Sequence, residues 1–260
     1  MRDVTAFSVG DIIKTSFAVY FSNLPVFVPL AFIAFVPVFA VVLIPESSSV
    51  NNPFVLPDPN AADPQAAMAE LGAFYLVMGR EFLVAMLCTV WLQAGYAFGV
   101  VRHLRGGSTG FAETFVQSVR MLGPALLVAV VVGIGVGIGS LLFLVPGIII
   151  ALVLWVAVPA AVVERSGLGA LGRSAELTRG FKGQIFGLAL ILFMFQVVAV
   201  LVVAMVASAL TDDLVVVFIL EETCVIVLSG ILATATSVTY HDLRVLREGV
   251  DTRAISQVFE

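Results

Sequence analysis

A chain of 260 residues that is 60% hydrophobic and 12% charged, with a mean hydropathy of +1.11, is not a water-soluble globular protein. Its formal charge of -5 makes nucleic acid an unsuitable partner, and its two cysteines, both inside apolar runs, supply neither a disulfide framework nor a four-ligand zinc site. What remains is an all-α, polytopic membrane protein, in which the position of each charge matters more than the sum.

Taken in chain order, the sequence predicts a single membrane domain, 1–260, built from three similar units. The first unit, 1–105, opens on the amphipathic segment "SVGDIIKTSFAVYF". Val9, Ile12, Ile13, Phe17, Tyr20 and Phe21 recur there at helical spacing, opposite Asp11, Lys14 and Thr15. A first span, Leu24 to Ile44, follows and reads as an uncleaved anchor, being too long for a signal-peptide core. The connection 45–65, rich in Pro, Ser and Asn, is expected to be irregular, and a second span runs from Phe82 to Val101.

The second unit, 106–164, repeats the pattern with Phe111, Phe115, Val119 and Leu122 opposite Glu113, Gln117 and Arg120. Spans follow from Pro124 to Phe143 and from Ile148 to Val163, the latter carrying Pro159. Inside the third span, "GIGVGIGS" lacks the lysine of a phosphate loop. Gly133, Gly135, Gly137 and Gly139 instead permit close helix packing, with a hinge as the alternative. The third unit, 165–240, begins with a fainter amphipathic copy, Leu168, Leu171 and Ala175 opposite Arg173 and Glu176. Its spans run from Ile185 to Ala207 and from Leu214 to about Tyr240, and a tail, 241–260, closes the chain with Ile255, Val258 and Phe259 on one side. The amphipathic segments are expected along the membrane surface.

Lys and Arg fall almost wholly on one side of this thread: Arg2 and Lys14, then Arg102, Arg105 and Arg120, then Arg165, Arg173, Arg179 and Lys182, then Arg244, Arg247 and Arg253. The opposite connections lack them, which predicts that both termini are cytoplasmic. Arg80 is the exception. Glu221 and Glu222 stand about 22 residues, or about 33 Å, before Arg244, and Arg80 stands equally far before Arg102. Arg80, Glu81, Glu221 and Glu222 are therefore expected at one depth near the outer edge of the hydrocarbon, with Arg80 paired to one of the two later glutamates. The functional alternative is a proton or cation site on a transport path. Gln93 and Gln196 are expected to bridge helices.

The opening "FSVGDIIKTSFAVYFSNL", the central "PGIIIALVLWVAVPAAVVERSGLGALGRSAELTRGFKGQIFG" and the closing "YHDLRVLREGVD" together resemble the membrane domain of some bacterial glycerophosphoryl diester phosphodiesterases and of related stand-alone inner-membrane proteins. The likeness covers most of the chain through loose motifs. In the fused enzymes a separate soluble domain carries the hydrolysis, and no such domain is present in this sequence. The resemblance thus implies a fold and a bacterial inner-membrane location more than an activity.

Catalysis is poorly supplied by the residues themselves. His103 and His241 belong to no metal-ligand spacing, and no nucleophile elbow is present. No cofactor is expected, and the reading leans away from an enzyme. The basic stretch "GRSAELTRGFKG" offers Arg173, Arg179 and Lys182 to a lipid phosphate, although positive-inside bias alone also predicts such a cluster. The function expected is a non-catalytic membrane component that binds lipids or a partner protein, a second copy of the chain included, linked by the resemblance to envelope lipid or glycerophosphodiester metabolism. A transporter or channel using Arg80, Glu221 and Glu222 is the alternative, and a membrane-embedded enzyme the second alternative.

Overall fold

The structure, a computed structural model, describes residue 4 and residues 6–43 and 64–248. Residues 45–63 of the expected 45–65 connection and the tail beyond Glu248, with Ile255, Val258 and Phe259, lie outside the described residues. The described residues are helical without strands, and six helical stretches among them are long and apolar enough to cross a membrane. This is a multi-pass helical membrane protein.

Helix α1, Val9–Ser22, starts where Ser8 Oγ accepts from Asp11 N at 3.3 Å, and Asp11 complements the dipole of the first turn. It buries Ile12, Ser16, Val19 and Tyr20 against the bundle, whereas Phe21 from the expected apolar face stays 57% exposed. Helix α2, Leu24–Leu43, buries Phe27, Leu30, Ala31, Ala34, Phe35 and Val38, a stripe at the 3.6-residue period.

Helix α3, Pro64–Leu104, is 41 residues long, and its first 18 precede the expected span. At 1.5 Å per residue it reaches about 61 Å. Pro64 at the first helical position and the Ala-rich and Leu-rich stretch behind it favour helix well before the hydropathy peak.

Helix α4, Phe111–Leu142, joins the second amphipathic segment to the third span without interruption, so this segment is not a separate interfacial helix. Pro124 does not break it.

The fourth span is broken into α5, Leu144–Val153, and α6, Ala157–Glu164. Pro159 has no N–H for the carbonyl four residues back and crowds it, so regular turns stop at Leu154–Val156. Helix α6 is buried from Ala157 to Val162. Helix α7, Gly169–Thr178, packs on it through Ala170, Ser174, Leu177 and Thr178. That corrects the expected face: Leu168 is exposed, because the hydroxyls of Ser174 and Thr178 turn inward. Both donate to the carbonyl of Val153, at 2.9 and 3.1 Å, and so satisfy an acceptor freed by the break.

Helix α8, Lys182–Leu210, is peripheral and shows a nearly continuous apolar surface, as a lipid-facing helix does. Helix α9, Leu214–Glu248, begins where Asp213 Oδ1 accepts from Val215 N at 2.9 Å, and it becomes the centre of the bundle. Its stretch Ala233–Tyr240 is buried on every side, and its small residues admit α1, α2, α3 and α6 close to its axis. At Gly230 an added Cβ would stand 2.7 Å from Tyr20 Cε2 and from Tyr96 Oη, so only glycine fits between the two rings.

Candidate functional site

At the arginine-rich end of the bundle the α3–α4 turn is tightly made. Gly106 adopts φ +82°, Gly106 N donates to His103 O at 2.9 Å, and Gly107 N to Arg102 O at 3.0 Å. A Cβ on Gly107 would stand 2.9 Å from Arg102 Cγ. Thr109 Oγ1 donates to Asn23 Oδ1 at 2.6 Å, and Asn23 Nδ2 lies 3.1 Å from His103 Nδ1, which pins the turn to the α1–α2 junction.

This turn, the start of α4 and the end of α6 enclose a cavity of about 380 Å³. Its polar lining is Arg102, Arg105, Arg165, Glu113 and Gln117; its apolar lining includes Phe98, Val101, Met121, Val162 and Val163. Along each helix the apolar residues lie deeper in the bundle than the charged ones. Arg102 is ion-paired to Glu113 and sits over the Phe98 ring at 5.9 Å. The side chains of Arg105 and Arg165, both exposed, form no ion pair or hydrogen bond among the described residues. Three arginines against one glutamate leave a net positive cavity with an apolar floor, which suits an anion that carries an apolar tail.

The expected phosphate-binding trio lies elsewhere and is not assembled as a site. Arg173 is committed: its Nε donates to Glu164 at 3.1 Å, its Nη1 to Glu176 at 3.4 Å, and Glu248 pairs with its remaining nitrogen. Partial burial works against its charge, but the hydrogen bonds and charges of Glu164 and then Glu176 more than offset this and hold the guanidinium above its ordinary pKa. Glu164 also accepts from Tyr240 Oη at 2.7 Å, and Glu248 from Arg244 Nε at 2.8 Å. Arg179 is exposed and gives its backbone carbonyl to Arg247, whose guanidinium sits 5.5 Å over the Phe181 ring. Lys182 is exposed at the first position of α8. Arg173 thus ties α6, α7 and α9 together and has no free donor face to offer a phosphate.

At the opposite end, Glu222 stands within electrostatic reach of Glu221 and Glu81, and Glu81 within reach of Arg80, so α3 and α9 do bring the charged residues to one level. The expected bond is absent: among the described residues no ion pair joins Arg80 to Glu221 or Glu222. Helix α9 starts at Leu214, seven residues and so about 10 Å before Glu221.

Two of the four glycines in the GIGVGIGS run of α4 face its neighbour. A Cβ on Gly139 would stand 3.0 Å from Gly147 N and Cα of α5, and one on Gly135 3.6 Å from Ile150 Cγ2, whereas Gly133 and Gly137 face open space. Gln93 Nε2 reaches Thr236 Oγ1 at 3.5 Å, a long bridge from α3 to α9. Cys88 and Cys224 are free thiols. No group of three or more His, Cys, Asp or Glu among the described residues is placed to hold a metal.

Arg102, Arg105 and Arg165 carried only the topology in the sequence reading. The available signal was that Arg105 and Arg165 each stand at a helix end just before a glycine turn, Gly106 and Gly167. The chain matches no family model, no curated protein and no solved structure.

Proposed function

We propose that the protein is a non-catalytic component of the bacterial inner membrane that holds an anionic lipid head group in the arginine-lined cavity, with both termini cytoplasmic. The single observation behind this reading is the cavity, net positive at its rim and apolar at its floor, at the end of the bundle that carries the Lys and Arg. The phosphodiester of a glycerophospholipid matches the two unpaired guanidiniums, and its chains match Phe98, Met121 and Val162. The likeness to a phosphodiesterase membrane domain links the same chemistry to envelope lipid or glycerophosphodiester metabolism. On this reading the chain consists of three interfacial-helix-plus-hairpin units, the second with its interfacial part fused to its first span.

Native mass spectrometry of the full chain, titrated with phosphatidylglycerol or with zwitterionic phosphatidylcholine, tests the assignment. Phosphatidylglycerol should stay bound preferentially, and Arg102→Ala with Arg105→Ala should abolish the preference. Equal retention of both lipids, or no effect of the double variant, overturns it. Displacement by equimolar glycerol 3-phosphate would make a soluble phosphoester the ligand.

The second reading, a transporter, is favoured by one observation: the glutamates of α9 lie about 10 Å inside its apolar stretch. Proton-coupled flux in proteoliposomes that disappears in Glu222→Gln would establish it in place of the first.

A further inference from the structure

Four described residues adopt left-handed backbone conformations. Three are glycines, Gly106 at φ +82°, Gly167 at φ +51° and Gly180 at φ +87°, and the fourth is Arg165 at φ 52°. An L side chain at such an angle crowds its own carbonyl, which is why glycine holds most such positions at helix ends. The chain supplies glycine two residues later, yet places an arginine where the strain falls.

Two features hold the strained residue in place. The preceding Glu164 is anchored by Tyr240 Oη of α9 at 2.7 Å and by Arg173 Nε of α7 at 3.1 Å, so the last turn of α6 is not free to unwind. The following turn is closed by Gly169 N donating to Ser166 O at 3.0 Å and Ala170 N to Gly167 O at 3.1 Å. Arg165 itself makes no ion pair or hydrogen bond among the described residues that would offset the strain, and it lines the cavity. Backbone strain retained without local compensation, at the rim of a positively charged cavity, is the signature of a residue kept for what it binds.

We propose that Arg165 is the residue that selects the anionic head group, and that the Glu164–Tyr240–Arg173 network preorganises it for that contact. This rests on the lipid-binding reading of the cavity. Arg165 contributes a charge-assisted hydrogen bond to the head-group phosphate, whereas Arg102 shares its charge with Glu113.

The test compares the full-length wild type with Arg165→Gly, Arg165→Asn, Arg165→Lys and Arg105→Ala, measuring melting temperature in lipid-free detergent and affinity for phosphatidylglycerol against phosphatidylcholine. Arg165→Gly and Arg165→Asn should melt at or above the wild-type temperature, since both residues tolerate the left-handed conformation, while losing about tenfold in phosphatidylglycerol affinity. Arg165→Lys should keep part of the affinity and gain no stability. A lowered melting temperature in both Arg165→Gly and Arg165→Asn would mark Arg165 as a structural residue and overturn the proposal. Unchanged affinity in those variants, with affinity lost in Arg105→Ala, would overturn the assignment of Arg165 and leave the cavity standing. No lipid preference in the wild type would remove the cavity reading and this inference with it.

Discussion

The arginine-rich end is held by polar bonds between helices, and the arginine-poor end by shape. At the first, Glu164, Arg173, Tyr240 and Glu248 tie α6, α7 and α9, and two hydroxyls of α7 complete the carbonyl left open by the break in the fourth span. At the second, α4 and α5 meet through the backbones of Gly139 and Gly147. Polar groups fix geometry where they have partners from several helices. At the other end, contact between backbones does that work.

The largest effect that would sharpen this contrast is expected from Arg173→Ala. Arg173 and Glu164 are 18% and 20% exposed, so removing the cation strands mostly buried carboxylates. The loss should be about 2–3 kcal/mol, the low end for a broken buried pair because Glu176 remains solvated. Unfolding in mixed detergent micelles measures it, and Arg173→Lys should restore only part, since an ammonium does not reproduce the planar fork. Full restoration by lysine would reduce the network to simple charge.

Next comes the break. Ser174→Ala and Thr178→Val should each cost less than about 1 kcal/mol, because the other hydroxyl still serves Val153, whereas the pair together should cost about 2 kcal/mol. Strict additivity of the two would show that the carbonyl does not depend on them jointly.

At the other end, Gly139→Ala should destabilise by about 1–2 kcal/mol, since its Cβ meets the backbone of Gly147 and neither helix yields easily. Gly137→Ala, with open space around it, should be neutral or stabilising by up to about 1 kcal/mol through helix propensity. Equal effects at the two positions would break the claim that shape holds this end. Smallest of all, Glu222→Gln should raise stability by about 0.5 kcal/mol by relieving repulsion from Glu221 and Glu81. A clear loss there would mean that Glu222 is engaged and not merely crowded.

Much of the fold was legible because hydrocarbon imposes simple rules. Each span had to be an apolar helix of sufficient length, so all six were found, and errors fell at their ends, as with the 18 extra residues of α3. The site was less legible. The arginines of the cavity were visible only as topology signals, because a charge shows which side of a membrane a residue occupies and not which neighbour it meets. The same limit hid the partners of Arg173, which come from three helices, with Glu248 75 residues away along the chain.

By itself, then, the sequence determined the membrane location, the helical class and the number of spans, since each follows from local composition and the needs of a single backbone. Tertiary structure alone decided that α7 would complete the break in the fourth span and that Arg165 would be held strained at the rim of a cavity. Those outcomes depend on how each helix is rotated about its axis. That rotation is fixed by packing against residues far away in the chain.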